Sequence, residues 1–438
     1  MHIILLSGGS GKRLWPLSNN VRSKQFLKLF KSKNGLYESM IQRVYNEFEK
    51  LDANIKIVVA TSASQVSSIK NQIGNSAEIC IEPCRRDTFP AIALASNYIY
   101  DVLGSDRSEI VVVCPVDPYV DPDYFKEITE LGRIADHSRS NLTLMGIEPT
   151  YPSEKYGYII PENKDNISRV LEFKEKPDVK TAEHYIENGA LWNGGVFAFK
   201  LGYLIDKAHE LIDFIDYKDL YNKYDTLTKI SFDYAVVEKE NNICVKRFSG
   251  KWKDLGTWNT LSESITDNAI GNAVMNENCH NTNVINELDI PILCMGLNNM
   301  IVSASPDGIL VSDKDQSSFI KPFVDSFDEN VRYAEKSWGT YRVIDVGTHS
   351  MTIKIELMPD HKMNYHKHEF RDEVWTVLEG EGIVIIDNVS HKASEGNVFV
   401  IRAGSAHTVA AKTRLIIMEN QIGKDISVED KIIIAEKN

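Results

Sequence analysis

The sequence lacks the features that mark secreted, membrane-spanning and nucleic-acid-binding proteins. Its six cysteines have no paired spacing, which argues against a disulfide framework and favours reduced thiols in a cytosolic protein. No apolar run reaches the ~18 residues of a membrane span, and no signal peptide precedes the first predicted strand. A net charge of −13 over 438 residues argues against a basic surface for nucleic acid. We therefore expect a cytoplasmic protein without a membrane or nucleic-acid partner.

Two familiar phosphate-binding motifs are also missing from a glycine-rich turn near the start, "LLSGGSGKRL". A P-loop needs Gly, four residues and then Gly-Lys-Ser/Thr, but Leu6 stands five residues before Gly11, and Arg13 follows Lys12. A dinucleotide fingerprint would need a third glycine where Leu14 stands. What remains is a glycine-rich turn after a hydrophobic strand, whose N–H groups can approach a polyphosphate closely.

Two cations, Arg13 and Lys24, follow the glycines of this turn, which are Gly8, Gly9 and Gly11. A cation beside a polyphosphate can neutralise charge that develops during phosphoryl or nucleotidyl transfer. The turn therefore predicts a phosphate-transfer site. By contrast, Cys80 and Cys84 could form half of a metal site, but no second half-site follows, which favours two ordinary thiols.

Strand-like and helix-like segments alternate through roughly the first 260 residues. Runs such as "HIILLSG", "IKIVVAT" and "EIVVVCPVD" read as buried strands, and "YESMIQRVYNEF" and "PAIALASNYIYDVL" read as helices. This alternation predicts an α/β fold with a mostly parallel, doubly wound, Rossmann-like sheet. Ligands of such sheets lie at the carboxyl ends of the strands, where both the glycine turn and Asp117 fall.

The pattern changes twice further along the chain. An Asn-rich stretch with short strands predicts a small β linker module at 265–330. Short strands broken by Gly, Asn and Asp predict an antiparallel barrel or jelly roll at 331–438. Because 438 residues are too many for one ordinary core, we expect these two parts to follow a separate α/β domain at 1–264.

Polar residues of the α/β domain stand where a ligand could approach. They are Glu82, Arg86 and Asp87 before a predicted helix, Asp117 at a strand end, Gly157 in a turn, Glu175 and Lys176 before a proline, Asn193 before an apolar strand, and Asp254 in a turn. Each carboxylate taken alone is more simply a helix cap or a solvated loop residue.

Taken together and in this order, these segments resemble the sugar-1-phosphate nucleotidyltransferase family. The family signature, Gly-Gly-x-Gly-Thr-Arg-Leu-x-Pro-Leu, reads "GGSGKRLWPL" here, with Lys12 in place of Thr. The segments "EPCRRDTFPAIALA", "LWNGGVF" and "SFDYAVVEK" are most similar to the guanylyltransferase branch that makes GDP-mannose, which often has Asn at the position of Asp87.

The resemblance implies a role for each residue. Arg13 and Lys24 would hold the triphosphate and stabilise the transferring α-phosphate, and Asp117 and Asp254 would bind Mg²⁺. Such an ion offsets the repulsion between two polyanions, and positioning does most of the remaining work because the attacking phosphate oxygen needs no general base. The other implied contacts are Gly8, Gly9, Gly11, Glu82, Arg86 and Asp87 for the nucleotide, and Gly157, Glu175, Asn193 and the phosphate-binding Lys176 for the sugar phosphate.

The last domain carries a second signal, "NYHKHEFRDEVWTVLEG". In a strand, one-residue spacing puts His366 and His368 on one face, while Glu373 follows shortly and His407 comes from a distant strand. Three histidines and one glutamate are a good ligand set for Zn²⁺ or another divalent ion. The set resembles a cupin barrel, with Arg402 where cupins commonly place Pro.

The order of the two domains resembles the bifunctional mannose-1-phosphate guanylyltransferase / mannose-6-phosphate isomerase proteins over nearly all of the chain. Their isomerase motif has three adjacent histidines and then Arg-x-Glu-His-Trp. Here Arg371, Glu373 and Trp375 match, two extra residues precede Arg371, and Val374 replaces His. The resemblance implies an enzyme that joins a hexose 1-phosphate, first of all α-D-mannose 1-phosphate, to GTP for surface polysaccharide synthesis, with Arg371 in an isomerase site.

Several alternatives stay open. The chain could be a nucleotidyltransferase for another base or sugar, because base choice depends on the geometry of the pocket. The cupin could be structural or sugar-sensing rather than an isomerase. A non-catalytic sugar-nucleotide sensor would lack the triphosphate cations, whereas Arg13 and Lys24 are both present. We also expect a homo-oligomer.

Overall fold

The computed structural model describes residues 1–9, 12–19, 21–327, 331–424, 426–427 and 430–434. The chain forms two compact units, each assembled from separate stretches of sequence. The first comprises Met1–Ser10, Lys24–Val66 and Ser76–Thr266, and the second comprises Gly11–Ser23, Ser67–Asn75 and Asp267–Asn438. The predicted domain boundaries at 264/265 and 330/331 stay a prediction.

The strands of the first unit, within the described ranges, are β1 (His2–Leu6), β2 (Phe30–Lys31), β3 (Tyr37–Glu38), β4 (Lys56–Ser62), β5 (Glu78–Glu82), β6 (Ile110–Pro115), β7 (Pro118–Val120), β8 (Leu142–Ile147), β9 (Tyr158–Pro161), β10 (Ile167–Lys174), β11 (Leu191–Lys200), β12 (Ile243–Phe248) and β13 (Trp252–Asp254). The α-helices of the described chain are α1 (Met40–Leu51), α2 (Val66–Ile73), α3 (Thr88–Asn97), α4 (Asp123–His137), α5 (Val179–Glu187), α6 (Leu201–Leu211), α7 (Tyr217–Lys223), α8 (Phe232–Ala235), α9 (Trp258–Ser262) and α10 (Lys321–Val324). None of them is long and apolar enough to cross a membrane.

One mixed sheet organises the first unit. Its order is β5–β4–β1–β6–β11–β8–β12–β10–β9. The neighbours β5, β4, β1 and β6 are parallel, as are β8 and β12, whereas β11 runs antiparallel to β6 and β8. The α/β class is confirmed, but the expectation of a mostly parallel sheet is correct for one half only. One reason is that residues 162–166, between β9 and β10, are too few for the crossover that a parallel pair needs.

Local sequence explains the helices that support this sheet. Ser39 and Gln42 form a reciprocal capping box at the start of α1. Helix α3 is apolar on all sides and buried on all sides, and it packs against β1, β4 and β5. The sheet ends that follow β1 and β6 are therefore fixed by a well-packed core.

Short strands form the part of the second unit between residues 269 and 313. They are β14 (Ala269–Gly271), β15 (Ala273–Met275), β16 (Asn283–Asn286), β17 (Ile292–Cys294), β18 (Met300–Ser305) and β19 (Gly308–Asp313). β14, β16 and β18 pair in parallel as successive turns, β15 pairs in parallel with β17, and β19 adds an antiparallel edge. This is the expected short-strand β module.

The remaining strands build a barrel from two antiparallel sheets. They are β20 (Tyr333–Lys336), β21 (Gly339–Val346), β22 (Ser350–Leu357), β23 (His366–Lys367), β24 (Arg371–Glu379), β25 (Glu381–Ile386), β26 (Val389–Ser394), β27 (Val398–Ile401), β28 (His407–Ala411), β29 (Leu415–Gly423) and β30 (Ile432–Ile433). In the described part, one sheet has the order β20–β21–β22–β29–β24–β27 and the other β26–β25–β28–β23–β30. The core of the barrel includes the fully buried Trp375 and Leu415. The predicted cupin-type barrel is confirmed.

Candidate active site and metal centre

Lys24 lies between two carboxylates from distant parts of the first unit. Its Nζ is 2.9 Å from Asp117 Oδ2 and 3.4 Å from Asp254 Oδ1. Asp117 follows β6, and the antiparallel pairing of β13 with β7 sets Asp254 opposite Pro118. Because both oxygens contact one nitrogen, they lie closer together than the ~7 Å spanned by two Mg–O bonds and a water. The structure therefore brings together the two carboxylates that were predicted to share an ion.

The charges of this cluster suit a divalent cation. Burial alone would lower the pKa of Lys24, but Asp117 and Asp254 raise it above its ordinary value. Burial likewise opposes ionisation of Asp117, yet Lys24 holds the pKa of that carboxyl below its usual value. Two carboxylates around one ammonium leave a negative balance, and carboxylate oxygens are the protein ligands that Mg²⁺ prefers. The donor set therefore fits a magnesium ion.

The first two glycines of the turn lie beside the segment that follows β5. A Cβ atom on Gly8 would be 3.3 Å from Glu82 Oε1, and Arg85 Nη2 donates to the carbonyl oxygen of Gly9 at 3.3 Å. The hydroxyl of Tyr224 donates to Glu82 Oε2 at 2.8 Å, and burial raises the pKa of Glu82. Arg85 was not among the predicted site residues, yet it contacts the glycine-rich turn directly.

Within the described ranges, no hydrogen bond joins Arg86 or Asp87 to Gly8 or Gly9. Asp87 caps helix α3, where its Oδ1 accepts the N–H of Thr88 at 2.8 Å. Arg86 is partly buried, and its Nε has no hydrogen-bond partner within the described ranges. Arg13 is exposed and belongs to the second unit, and Gly11 lies outside the described residues. Their roles in nucleotide binding stay a prediction.

The residues predicted to bind the sugar phosphate form a second cluster. The backbone N–H of Asn193 donates to the carbonyl oxygen of Gly157 at 2.8 Å, and its Nδ2 donates to Asp233 Oδ1 at 2.7 Å. A Cβ atom on Gly157 would lie 2.4 Å from Glu175 Oε2, so a larger residue would displace that carboxylate. Lys176 Nζ donates to Glu175 Oε1 at 2.6 Å. The other oxygen, Oε2, is buried without a partner among the described residues and could accept a ligand hydroxyl.

Sequence reasoning missed two acids of this cluster, both in "SFDYAVVEK". Asp233 lies in α8, and Glu238 Oε1 accepts the backbone N–H of Glu175 at 3.3 Å. Burial and the nearby Glu175 raise the pKa of Asp233 to about 6. The segment had been recognised only as a whole, because residue types alone do not show that Asp233 faces Asn193, 40 positions earlier.

We expect the substitution Asp233→Asn to change how stability depends on pH. The pKa of Asp233 in the folded protein, about 6, lies above the ordinary value of 3.8. The stabilising contribution of its protonated form is therefore complete below about pH 4 and is lost as the pH rises through about 6. Asn cannot ionise, so the variant should lose less unfolding free energy than the wild type between these limits. Urea unfolding of both proteins across this range checks the prediction, and a difference that does not vary with pH would contradict it.

Three histidines meet inside the barrel. His366 in β23 pairs directly with His407 in β28, and the nearest ring nitrogens of His366, His368 and His407 all lie within 4.8 Å of one another. Each Nδ1 lies within 3.0 Å of a backbone carbonyl oxygen, which favours the proton on Nδ1 and the lone pair on Nε2. Burial lowers the pKa of His366 to about 3, so this ring is neutral, as a metal ligand must be.

Glu373 completes this group. Its Oε1 is 3.1 Å from His368 Nε2, and its Oε2 is 3.2 Å from His407 Nε2. Arg371 Nε and Trp375 Nε1 donate to the same carboxylate at 3.3 and 3.1 Å, and Arg371 Nη2 also lies 3.1 Å from His368 Nε2. A nitrogen lone pair that faces a carboxylate oxygen is unfavourable unless a proton or a cation lies between them. His407 Nε2 is buried without a hydrogen-bond partner in the described chain, so these residues fit a bound metal.

Each of the two parts of the chain matches a known protein family model. Residues 2–269 match the family model described as nucleotidyl transferase, and residues 326–437 match the model described as mannose-6-phosphate isomerase C-terminal. A mannose-1-phosphate guanylyltransferase of Salmonella montevideo is 27% identical, over 99% of this chain and 98% of that protein. The alginate biosynthesis protein AlgA of Pseudomonas fluorescens is 28% identical, over 98% of this chain and 94% of that protein.

One solved structure is similar over most of the chain. It is the crystal structure of a mannose-1-phosphate geranyltransferase from Thermus thermophilus, which is 26% identical and has a TM-score of 0.61. The match covers 74% of this chain and 98% of that one. Together with the sequence matches, it confirms the resemblance that the motifs indicated.

Proposed function

Since this chain belongs to the nucleotidyl transferase family, we propose that it transfers GMP from GTP to α-D-mannose 1-phosphate, giving GDP-mannose and pyrophosphate. The observation that carries the proposal is the position of Lys24 between Asp117 and Asp254. The names of its relatives, a mannose-1-phosphate guanylyltransferase and an alginate biosynthesis protein, support this sugar, this base and a product used in polysaccharide synthesis.

Lys24 and its two carboxylates suit transfer at the α-phosphate. An oxygen of the sugar phosphate attacks the α-phosphorus, a new P–O bond forms, and the bond to the β-phosphate breaks as pyrophosphate leaves. Lys24, which is kept protonated by its two carboxylates, stabilises negative charge on the transferring group, and Arg13 helps to hold the triphosphate. Mg²⁺ bound by Asp117 and Asp254 would neutralise phosphate charge.

The second cluster would bind the sugar phosphate. Glu175 Oε2, which has no partner among the described residues, would accept a sugar hydroxyl. The hydrogen bond to Asp233 orients the side chain of Asn193, which would contact a second hydroxyl of the sugar. Lys176 would bind the phosphate of the sugar. On the nucleotide side, we assign Gly8, Gly9, Gly11, Glu82, Arg86 and Asp87.

For the barrel, we propose Zn²⁺ or another divalent ion on His366, His368, Glu373 and His407. With Arg371 beside this site, the barrel would interconvert mannose 6-phosphate and fructose 6-phosphate as a second activity. Val374 stands where the isomerase motif has His, but along β24 the buried side chains alternate with half-buried ones. A histidine at that position would therefore project away from Glu373. A structural metal is the alternative for this barrel.

The location and assembly of the enzyme are also proposals. All six cysteines are free, which suits the reducing cytoplasm. We expect a homo-oligomer, which light scattering during gel filtration would detect.

A pyrophosphate-release screen tests the proposed function. The full-length protein is supplied with Mg²⁺, with each of the four nucleoside triphosphates, and with mannose, glucose or galactose 1-phosphate in turn. We expect the highest rate with GTP and mannose 1-phosphate. A higher rate with another pair would favour the alternative specificity, and the absence of pyrophosphate with every pair would contradict nucleotidyl transfer.

A further inference from the structure

The loop that carries Arg13 is built into the second unit. We call residues 12–19 and 21–23 the signature loop, because they continue the glycine-rich motif. They group with residues 267–438 rather than with the strand β1 that precedes them. Several described partners of this loop lie in the β module and at the start of the barrel.

Arg22 makes a buried, two-point contact. Its side chain is only 8% exposed, and its two terminal nitrogens lie 2.7 and 2.9 Å from the two carboxylate oxygens of Glu287. The guanidinium group also lies over the ring of Tyr333, 5.1 Å from the centroid. A two-point Arg–carboxylate pair fixes both direction and distance, and burial strengthens it. Arg22 thus fastens the C-terminal end of the loop to the turn that follows β16.

Asn19 and Pro16 are held by the turn between β18 and β19. Asn19 Nδ2 donates to Asp307 Oδ2 at 2.6 Å, while its Oδ1 accepts the backbone N–H of Arg22 at 2.7 Å. Ser305 Oγ donates to the carbonyl oxygen of Pro16 at 2.6 Å. These bonds fix the middle of the loop.

Two further contacts flank Arg13 directly. On one side, Lys12 Nζ lies 3.3 Å from Asp325 Oδ1. On the other, Trp15 packs against Phe327, with ring centroids 5.1 Å apart, and covers Gly308 so closely that a Cβ atom there would lie 2.4 Å from Trp15 Cζ2. Arg13 itself is exposed between these two anchored neighbours.

We propose that Glu287 and Asp307 are positioning residues for nucleotidyl transfer, acting through the signature loop on Arg13. The inference rests on the proposed function, which gives Arg13 its role in holding the triphosphate. A loop anchored on both sides of Arg13 presents the guanidinium without an ordering cost when the nucleotide binds. The β module is therefore part of the catalytic apparatus rather than a passive linker.

The test measures KM for each substrate separately in full-length variants. Glu287→Gln removes the charge that holds Arg22, and Asn19→Ala removes the bond to Asp307 while leaving Glu287 in place. We expect each variant to raise the KM for GTP by at least about tenfold and to leave the KM for mannose 1-phosphate within about twofold. Glu277→Gln is the matched control, because Glu277 is an exposed acid of the same β module, in the turn after β15. This variant should leave both KM values unchanged.

The unfolding temperature and the circular dichroism spectrum report whether each variant is still folded. If Glu287→Gln fails to fold, Asn19→Ala carries the test alone. Unchanged KM for GTP in folded variants would overturn the inference, as would equal rises for both substrates. A wild-type protein that releases no pyrophosphate with any substrate pair would instead overturn the proposed function.

Discussion

The variant Lys24→Ala is expected to lower kcat for pyrophosphate release by about a hundredfold or more. In the wild type, Lys24 Nζ lies 2.9 and 3.4 Å from the two carboxylates proposed to bind Mg²⁺. Loss of Lys24 removes a preorganised stabiliser of the transferring phosphate and the ammonium group that lies between Asp117 and Asp254. Arg13→Ala should have an effect of the same scale, because it removes the proposed triphosphate contact. Arg13 is exposed, so the substitution does not disturb a core.

Single-turnover and steady-state assays with GTP and mannose 1-phosphate measure this loss. Lys50→Ala is the matched control, since Lys50 is an exposed lysine at the end of α1 that pairs only with Glu47 in the described structure. Thermal unfolding shows whether each variant is folded. If both Lys24→Ala and Arg13→Ala turn over at nearly the wild-type rate, the glycine-rich turn has been assigned wrongly.

The variant His407→Ala is expected to reduce the metal content of the barrel from about one divalent ion per chain to nearly none. His407 Nε2 is buried, lies 3.2 Å from Glu373 Oε2 and has no hydrogen-bond partner in the described chain, as expected of a nitrogen that binds a cation. Metal-bound histidine must be neutral, so protons compete with the ion for these rings and strong acid should release the metal.

Elemental analysis of purified full-length protein measures the metal. His391→Ala is the control, because His391 is an exposed histidine of β26 in the same barrel. A wild-type protein without metal, or a His407→Ala variant with an unchanged content, would rule out the site. Metal without conversion of mannose 6-phosphate would leave the site standing and remove only the isomerase activity.

The two proposed metal sites could be predicted in part from the sequence. The family resemblance implied that Asp117 and Asp254 share an ion, and the local pattern placed Asp117 at the end of a strand. The histidine set could be found because side chains alternate along a strand and His366 and His368 are one residue apart. In each case a short-range rule indicated which face or edge the residue occupies.

Other features depend on contacts that no short-range rule reports. The glycine-rich motif reads as one element, yet the structure divides it between two units through Arg22–Glu287 and Asn19–Asp307, pairs separated by 265 and 288 positions. The antiparallel insertion of β11 into the sheet and the approach of Asp233 to Asn193 were missed for the same reason. Propensity and spacing do not specify such distant partners.

The division of the chain also affects which experiments are informative. Residues 67–75 belong to the second unit, where Asn71 Nδ2 donates to the carbonyl oxygen of Lys336 at 3.0 Å and Gln72 Nε2 donates to Glu335 Oε2 at 2.6 Å. A fragment that begins near Val331 would lose these partners and the signature loop. Point variants of the full chain therefore separate the two activities more cleanly than truncation does.

The most direct test of the central claim follows the α-phosphate of GTP. Full-length protein is incubated with Mg²⁺, mannose 1-phosphate and GTP labelled at the α-phosphorus, and the products are separated. Attack at that phosphorus predicts that all transferred label appears in GDP-mannose, that the pyrophosphate is unlabelled, and that no label moves without the sugar phosphate. Label released as free GMP at a rate that does not depend on mannose 1-phosphate, or no transfer of label at all, would contradict the account.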